Sequence, residues 1–215
     1  MPTKTTKQNL YLIPGFGETT RKKAYREITD FSQKNNFKVI AVNPDWENST
    51  ASDWIKFFLD KVSKNQPSNK DSIVVGFSFG AYIAAIASEK IKFKKIILAS
   101  LSPYFKKDLK YLPTIAHKIL GKKRIDDFKK YDFPKKTTAP VLFLVGDKDM
   151  PLVIKSIHQS YKKWQGIKKI IVIKNAEHDL NNKLYLDSIK ENLKSSSLIR
   201  SSFVEYFCVS KNNKV

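Results

Sequence analysis

The 215-residue sequence has one cysteine, Cys208. That excludes an internal disulfide framework and a thiolate-rich metal site. Long hydrophobic runs are missing as well. The most apolar segments, such as 96–99, 141–145 and 170–173, span a handful of residues each, against the roughly 20 that a membrane-spanning helix needs. The opening residues, MPTKTTKQN, carry no apolar stretch, so no secretory signal is expected and the expected compartment is the cytoplasm. Glycine is scarce, with seven in the chain, and there are only three histidines. Arginine is nearly absent: Arg21, Arg26, Arg124 and Arg200 are the only four among 40 basic residues.

The basic residues outnumber 20 acidic ones, for a net charge of +20. Such a balance raises the question of an anionic partner: nucleic acid, a membrane surface or an acidic substrate. The residue types argue for composition instead. Sequence-specific nucleic-acid readers lean on arginine forks, and here all but four of the 40 basic residues are lysine. The lysines are scattered along the chain, with no long basic block. No specific nucleic-acid partner is expected, though weak attraction to polyanions follows from the charge. Hydrophobic residues make up 41% of the chain, enough for a sizeable core, and the length predicts a single domain over residues 1–215.

Short apolar runs alternate with amphipathic stretches, the pattern of βαβ units. Strands are predicted at 9–13, 37–42, 72–75, 95–99, 139–145 and 169–173. Helices are predicted at 19–35, 52–64, 79–90, 152–164 and 182–194. The strands are apolar throughout instead of alternating, which means burial on both faces. The expected fold is a three-layer α/β sandwich of about six mostly parallel strands flanked by helices. Right-handed crossovers gather the loops that follow the strands on one edge, where ligands of open α/β sheets bind. Two segments break the alternation. Residues 101–138, before the fifth strand, are longer than a crossover needs and form a candidate helical lid or insertion. In the tail, Ile199, Phe203 and Phe207 recur every fourth residue, which predicts a closing helix within 195–215.

Gly76-Phe77-Ser78-Phe79-Gly80 is a G-x-S-x-G placed directly after a predicted strand and before a predicted helix. A serine on such an elbow is held above the sheet edge, and the helix N-terminus presents free N–H groups to developing negative charge. A nucleophilic serine needs a base, and the base needs an orienting acid. Of the histidines, His117 falls in the insertion and His158 in mid-helix. His178 falls in the loop leaving the sixth strand, on the same edge as Ser78, and is the predicted base. The turn Gly146-Asp147-Lys148-Asp149 leaves the fifth strand and offers two carboxylates. Asp149, deeper in the turn, is preferred as the acid, with Asp147 as the alternative. Five of the seven glycines, at 15, 17, 76, 80 and 146, fall in the three turns so implicated.

The order Ser78, Asp149, His178, together with the elbow, resembles that of small α/β-hydrolase-fold serine hydrolases of the esterase and thioesterase kind. The resemblance covers about residues 9–195. It departs from many members in lacking the first antiparallel edge strands, and Pro14 stands where a His-Gly oxyanion turn has histidine. The resemblance implies that the backbone N–H groups of Phe16, in Pro14-Gly15-Phe16-Gly17, and of Phe79 form an oxyanion hole. It implies hydrolysis of a small-molecule carboxylic ester or thioester, with no metal and no cofactor. Phe77, Tyr104 and Phe105 are candidates for an apolar substrate pocket. The same scaffold also serves acyltransferases, C–C bond hydrolases and inactive binding proteins, which stand as the alternatives.

Overall fold

The computed structural model describes residues 7–65, 71–195 and 204–207. In chain order the elements are β1 (Gln8–Ile13), α1 (Lys23–Lys34), β2 (Phe37–Ala41), α2 (Ala51–Asn65), β3 (Ile73–Phe77), α3 (Phe79–Ala87) and β4 (Lys95–Ala99). There follow a single 3₁₀ turn (Leu109–Tyr111), α4 (Thr114–Phe128), β5 (Val141–Gly146), α5 (Pro151–Lys163), β6 (Lys168–Ile173), α6 (Lys183–Lys194) and β7 (Val204–Phe207). The strands form one sheet in the order β2-β1-β3-β4-β5-β6-β7, and every neighbouring pair is parallel. All six predicted strands are present.

Alternation along each strand sends side chains to two cores, one on each face. Leu10, Leu12, Val75, Ile97 and Leu144 point to the face covered by α1 and α6, where Tyr25, Ile28, Tyr185 and Ile189 meet them. Tyr11, Ile13, Val74, Ile96 and Leu98 point to the face covered by α2, α3, α5 and part of α4. Each fully buried aliphatic or aromatic side chain contributes about 1.5–3 kcal/mol. Burial on both faces therefore explains why the strands read as unbroken apolar runs. α3 is buried along its whole length. Its alanines and Gly80 let it lie against the sheet: a Cβ at residue 80 would overlap the carbonyl oxygen of Ile13.

One expectation changes. Residues 204–207 form a strand, not part of a closing helix, and pair Val204 with Ile170 through Phe207 with Ile173. Spacing in fours favoured the helix, but Val, Tyr and Phe are strong strand formers, and the open edge of β6 satisfies their backbone. The rest of that predicted helix, 196–203 and 208–215, lies outside the described residues. Within the segment expected as a helical insertion, α4 is two helical pieces. Gly121, at φ 74° and ψ 159°, breaks it in the middle. The piece after the break is fastened to the body. Arg124 donates to the carbonyls of Ser49 and Trp46, and both carboxylate oxygens of Asp127 accept from Ser52.

Candidate active site

β3 ends at Phe77 and α3 begins at Phe79, so Ser78 is the whole connection. It sits at φ 55°, ψ −116°, a backbone state that costs about 1–3 kcal/mol for a side-chain-bearing residue. Its neighbours enforce it: the Ser78 N–H donates to Ala99 O at 2.8 Å, and Ser78 O accepts from Tyr82 N at 3.2 Å. The turn lifts Oγ toward the loops from β5 and β6. His178 Nε2 lies 2.9 Å from Ser78 Oγ, and His178 Nδ1 lies 2.9 Å from Asp149 Oδ1.

The Asp149 side chain is fully buried, and its oxygens are supplied with donors. Oδ1 also accepts from Met150 N at 2.7 Å, and Oδ2 accepts from the Ser100 hydroxyl at 2.7 Å. A buried carboxylate needs such partners to offset its lost hydration. Because that carboxylate only accepts, the imidazole proton sits on Nδ1, leaving Nε2 as acceptor for the serine hydroxyl. Asp147 does other work: its Oδ1 accepts from Asn175 N at 2.6 Å and ties the β5 and β6 loops together. His117 is exposed on α4 and His158 half-buried on α5, and neither has a bond to these groups.

Two tyrosines brace the turns from below. The Tyr185 hydroxyl accepts from Gly146 N at 2.6 Å and donates to Ser100 Oγ at 2.7 Å. That completes a directed chain, Gly146 N–H to Tyr185 to Ser100 to Asp149. Burial, and then the Asp149 charge, holds the Tyr185 phenol well above its ordinary value. On the other side, Tyr25 accepts from Gly15 N at 3.0 Å and donates to Glu18 Oε2 at 2.5 Å. Burial first and the Glu18 carboxylate second push its phenol up. This fixes the turn at residues 15–18, closed by Glu18 N to Gly15 O at 3.0 Å with Gly17 at φ 70°. Phe16 N–H takes no part in that turn's own bond. Phe79 is the first residue of α3, where helix N–H groups lack intrahelical partners.

A cavity of about 580 Å³ opens beside Ser78, within the range of small-molecule sites. Its walls are almost wholly apolar. Phe16 and Phe79, with ring centres 5.2 Å apart, form one wall, and Tyr104 stacks on Phe79 at 4.5 Å. Leu112, Ile115 and Leu120, farther along the 101–138 segment, line it as well, as do Leu152 and Val153. Two of the expected pocket residues are elsewhere. Phe77 lies on the opposite face of the sheet end, where its ring meets His178 at 5.1 Å and Tyr185 at 6.3 Å. Strand alternation puts it there, since Ser78 and Phe77 cannot face the same way. Phe105 turns into the core against Tyr82 and Phe133 and does not line this cavity.

Ser100 and Ser102 escaped the reading of the sequence. Ser102 is buried on the cavity wall with Oγ 3.0 Å from Ser78 Oγ. As the serine proton is directed at His178, Ser102 is the donor in this pair. The available signal was position: both follow the strand that pairs with β3. Among the described residues, no group of three or more His, Cys, Asp or Glu is placed to hold a metal ion. No helix of the described residues is long and apolar enough to cross a membrane.

No protein-family model and no curated protein matches the sequence. Solved structures do match it. Alpha/beta hydrolase domain-containing protein 10 from mouse aligns over 86% of this chain and 87% of its own, at TM-score 0.71 and 16% identity. A monoacylglycerol lipase from Paleococcus ferrophilus aligns over 89% of this chain and 96% of its own, at TM-score 0.66 and 15% identity. Est1E from Butyrivibrio proteoclasticus, solved with ferulic acid, aligns over 90% of each chain, at TM-score 0.66 and 17% identity. With its parallel sheet, its serine elbow after β3 and these likenesses, the chain has the α/β-hydrolase fold.

Proposed function

We propose that the chain is a serine hydrolase that cleaves carboxylic esters or thioesters through an acyl-enzyme. One observation carries the reading: hydroxyl, imidazole and carboxylate stand in line at 2.9 Å and 2.9 Å beside an apolar cavity. In this reading Ser78 Oγ attacks the substrate carbonyl as its proton passes to His178 Nε2. Asp149 holds the ring in the right tautomer and stabilises the imidazolium. The N–H groups of Phe16 and Phe79 hold the oxyanion, each such donor worth roughly 10²–10³ in rate. The alcohol or thiol leaves with the proton from His178. Water, deprotonated by His178, then attacks the ester carbonyl and releases the acid, restoring the Ser78 hydroxyl.

The cavity supports an acyl group with substantial apolar bulk, bounded by Phe16 and Phe79 and by Tyr104, Leu112, Ile115 and Leu120 of the 101–138 segment. That segment is the proposed lid of one catalytic domain. The likeness to an esterase and a lipase supports an ester over other acyl compounds. The test is turnover of p-nitrophenyl esters from acetate to dodecanoate, with fluorophosphonate labelling. Wild type should be labelled at Ser78 and should prefer the longer acyl chains, and Ser78→Ala should do neither. Ester turnover equal in wild type and Ser78→Ala, with no labelling, would sink the reading.

A further inference from the structure

Six large apolar side chains are exposed among the described residues, and four of them, Tyr111, Ile115, Ile119 and Met150, rim the mouth of the one cavity beside Ser78. They are between 52% and 62% exposed. They come from three separate stretches: the 3₁₀ turn, the piece of α4 before Gly121, and the residue before α5. Scattered exposed apolar residues need no explanation, but a cluster around an opening does.

Charge flanks the same cluster. Lys110 and Lys155 each bring Nζ within 5 Å of the Tyr111 ring centre, at 4.8 Å and 4.9 Å. Lys118 is exposed between Ile115 and Ile119. Among the described residues, none of the three makes an ion pair. The nearby carboxylate of the segment, Asp108, is half-buried. Two like charges are drawn to one ring on a chain of net charge +20, and the half-buried Asp108, which also faces Lys163, offsets Lys155 without pairing with it. An apolar centre with a lysine border matches an interface of acyl chains beneath anionic headgroups.

We propose that this rim docks the protein on an anionic lipid surface, with Tyr111, Ile115, Ile119 and Met150 entering the acyl boundary and Lys110, Lys118 and Lys155 meeting the headgroups. The docking does not require hydrolysis, so Ser78→Ala should dock like wild type.

The test is co-sedimentation with vesicles of phosphatidylcholine alone or mixed with phosphatidylglycerol, at about 150 mM salt, where the Debye length is ~8 Å. Binding is expected to the mixed vesicles and to be at least about tenfold weaker to the neutral ones. The double change Ile115→Ser with Ile119→Ser leaves the charge intact and alters only exposed positions. It should lower binding about tenfold or more. Lys110→Glu with Lys155→Glu should lower it similarly, whereas Lys34→Glu with Lys38→Glu, exposed near the opposite edge of the sheet, should barely change it. Equal loss from both lysine pairs with none from the isoleucine pair would overturn the proposal, leaving only general charge attraction. Absence of vesicle binding together with an isoleucine-dependent dimer would also overturn it, in favour of a second copy of the chain on this face. Circular dichroism on each variant confirms that it is folded.

Discussion

The two edges of the sheet both bury polar groups, and they do so differently. At the carboxyl edge, residues just past three strands, Ser78, Ser100 and Asn175, have φ of 55°, 46° and 58°. The hydroxyls of Ser78 and Ser100 lie on two directed chains that both end at the Asp149 carboxylate, and Asn175 N–H donates to Asp147. At the amino edge, Lys95 opens β4 and is 3% exposed. Its Nζ donates to the carbonyls of Asn192 at 2.8 Å and Ser195 at 2.6 Å, at the end of α6, where a cation suits the helix dipole. Burial, and then repulsion from Lys94, lowers its pKa to about 8. Asn36, before β2, is strained there too, at φ 66°, and a cavity of about 230 Å³ adjoins Lys95, but Gln8, Asn35 and Lys94 line it along with Phe37 and Ile73, and among the described residues no chain of side-chain donors leads into it. Buried polarity alone does not mark a working site. Strain, a directed chain of donors and an open cavity together do.

Four substitutions sharpen this contrast, the largest effect first. Ser78→Ala should remove ester turnover by roughly 10⁴–10⁶-fold, with a stability loss of no more than about 1–3 kcal/mol, from the Ser102 hydroxyl that loses its acceptor. A larger loss of stability would mean that the elbow serine is structural. Asp149→Asn should reduce kcat by about 10⁴-fold, with the variant still labelled slowly by a fluorophosphonate. Ser100→Ala breaks the link from Tyr185 to Asp149 Oδ2. It should reduce kcat on the order of tenfold and destabilise by about 1–3 kcal/mol, since a buried carboxylate oxygen loses its donor. Lys95→Met, on the other edge, should leave turnover unchanged.

The effect of Lys95→Met should appear in pH dependence. The folded pKa of Lys95 is about 8, below its ordinary value of 10.5. Between those values the unfolded chain binds more protons, so this group makes stability rise with pH. Wild type should therefore gain stability as pH rises from about 8 toward 10.5 more steeply than Lys95→Met, read as urea midpoints. The general relief of positive charge acts on both proteins, so the difference isolates Lys95. Parallel curves would show that its ammonium is not penalised by burial.

The sheet was legible because continuous apolar runs have few alternatives once they are short and separated by amphipathic stretches. The strand-turn-helix around Ser78 was legible because a glycine-poor chain places its glycines where backbones touch. Gly146 is a case in point: a Cβ there would overlap the carbonyl oxygen of Ala176. The meeting of residues 78, 149 and 178 followed from their all lying past strand ends on one edge. What stayed hidden depended on direction and on neighbours. Phe77 adjoins Ser78 in sequence yet lies under His178, and Phe105 adjoins Tyr104 yet turns into the core. Ser100 and Ser102 look like any loop serines until β4 is set beside β3. The strand at 204–207 depends on the edge of β6, which no local pattern reports.

The interruption at Gly121 has a bearing on how this protein can diverge. Downstream of it, Arg124 and Asp127 fasten the chain to the loop after β2 and to the start of α2, so changes there disturb the body. Upstream, residues 114–120 contribute cavity wall and rim but few ties to the sheet. Natural variation can therefore reshape the cavity through that short piece while the residues at the sheet edge stay as they are.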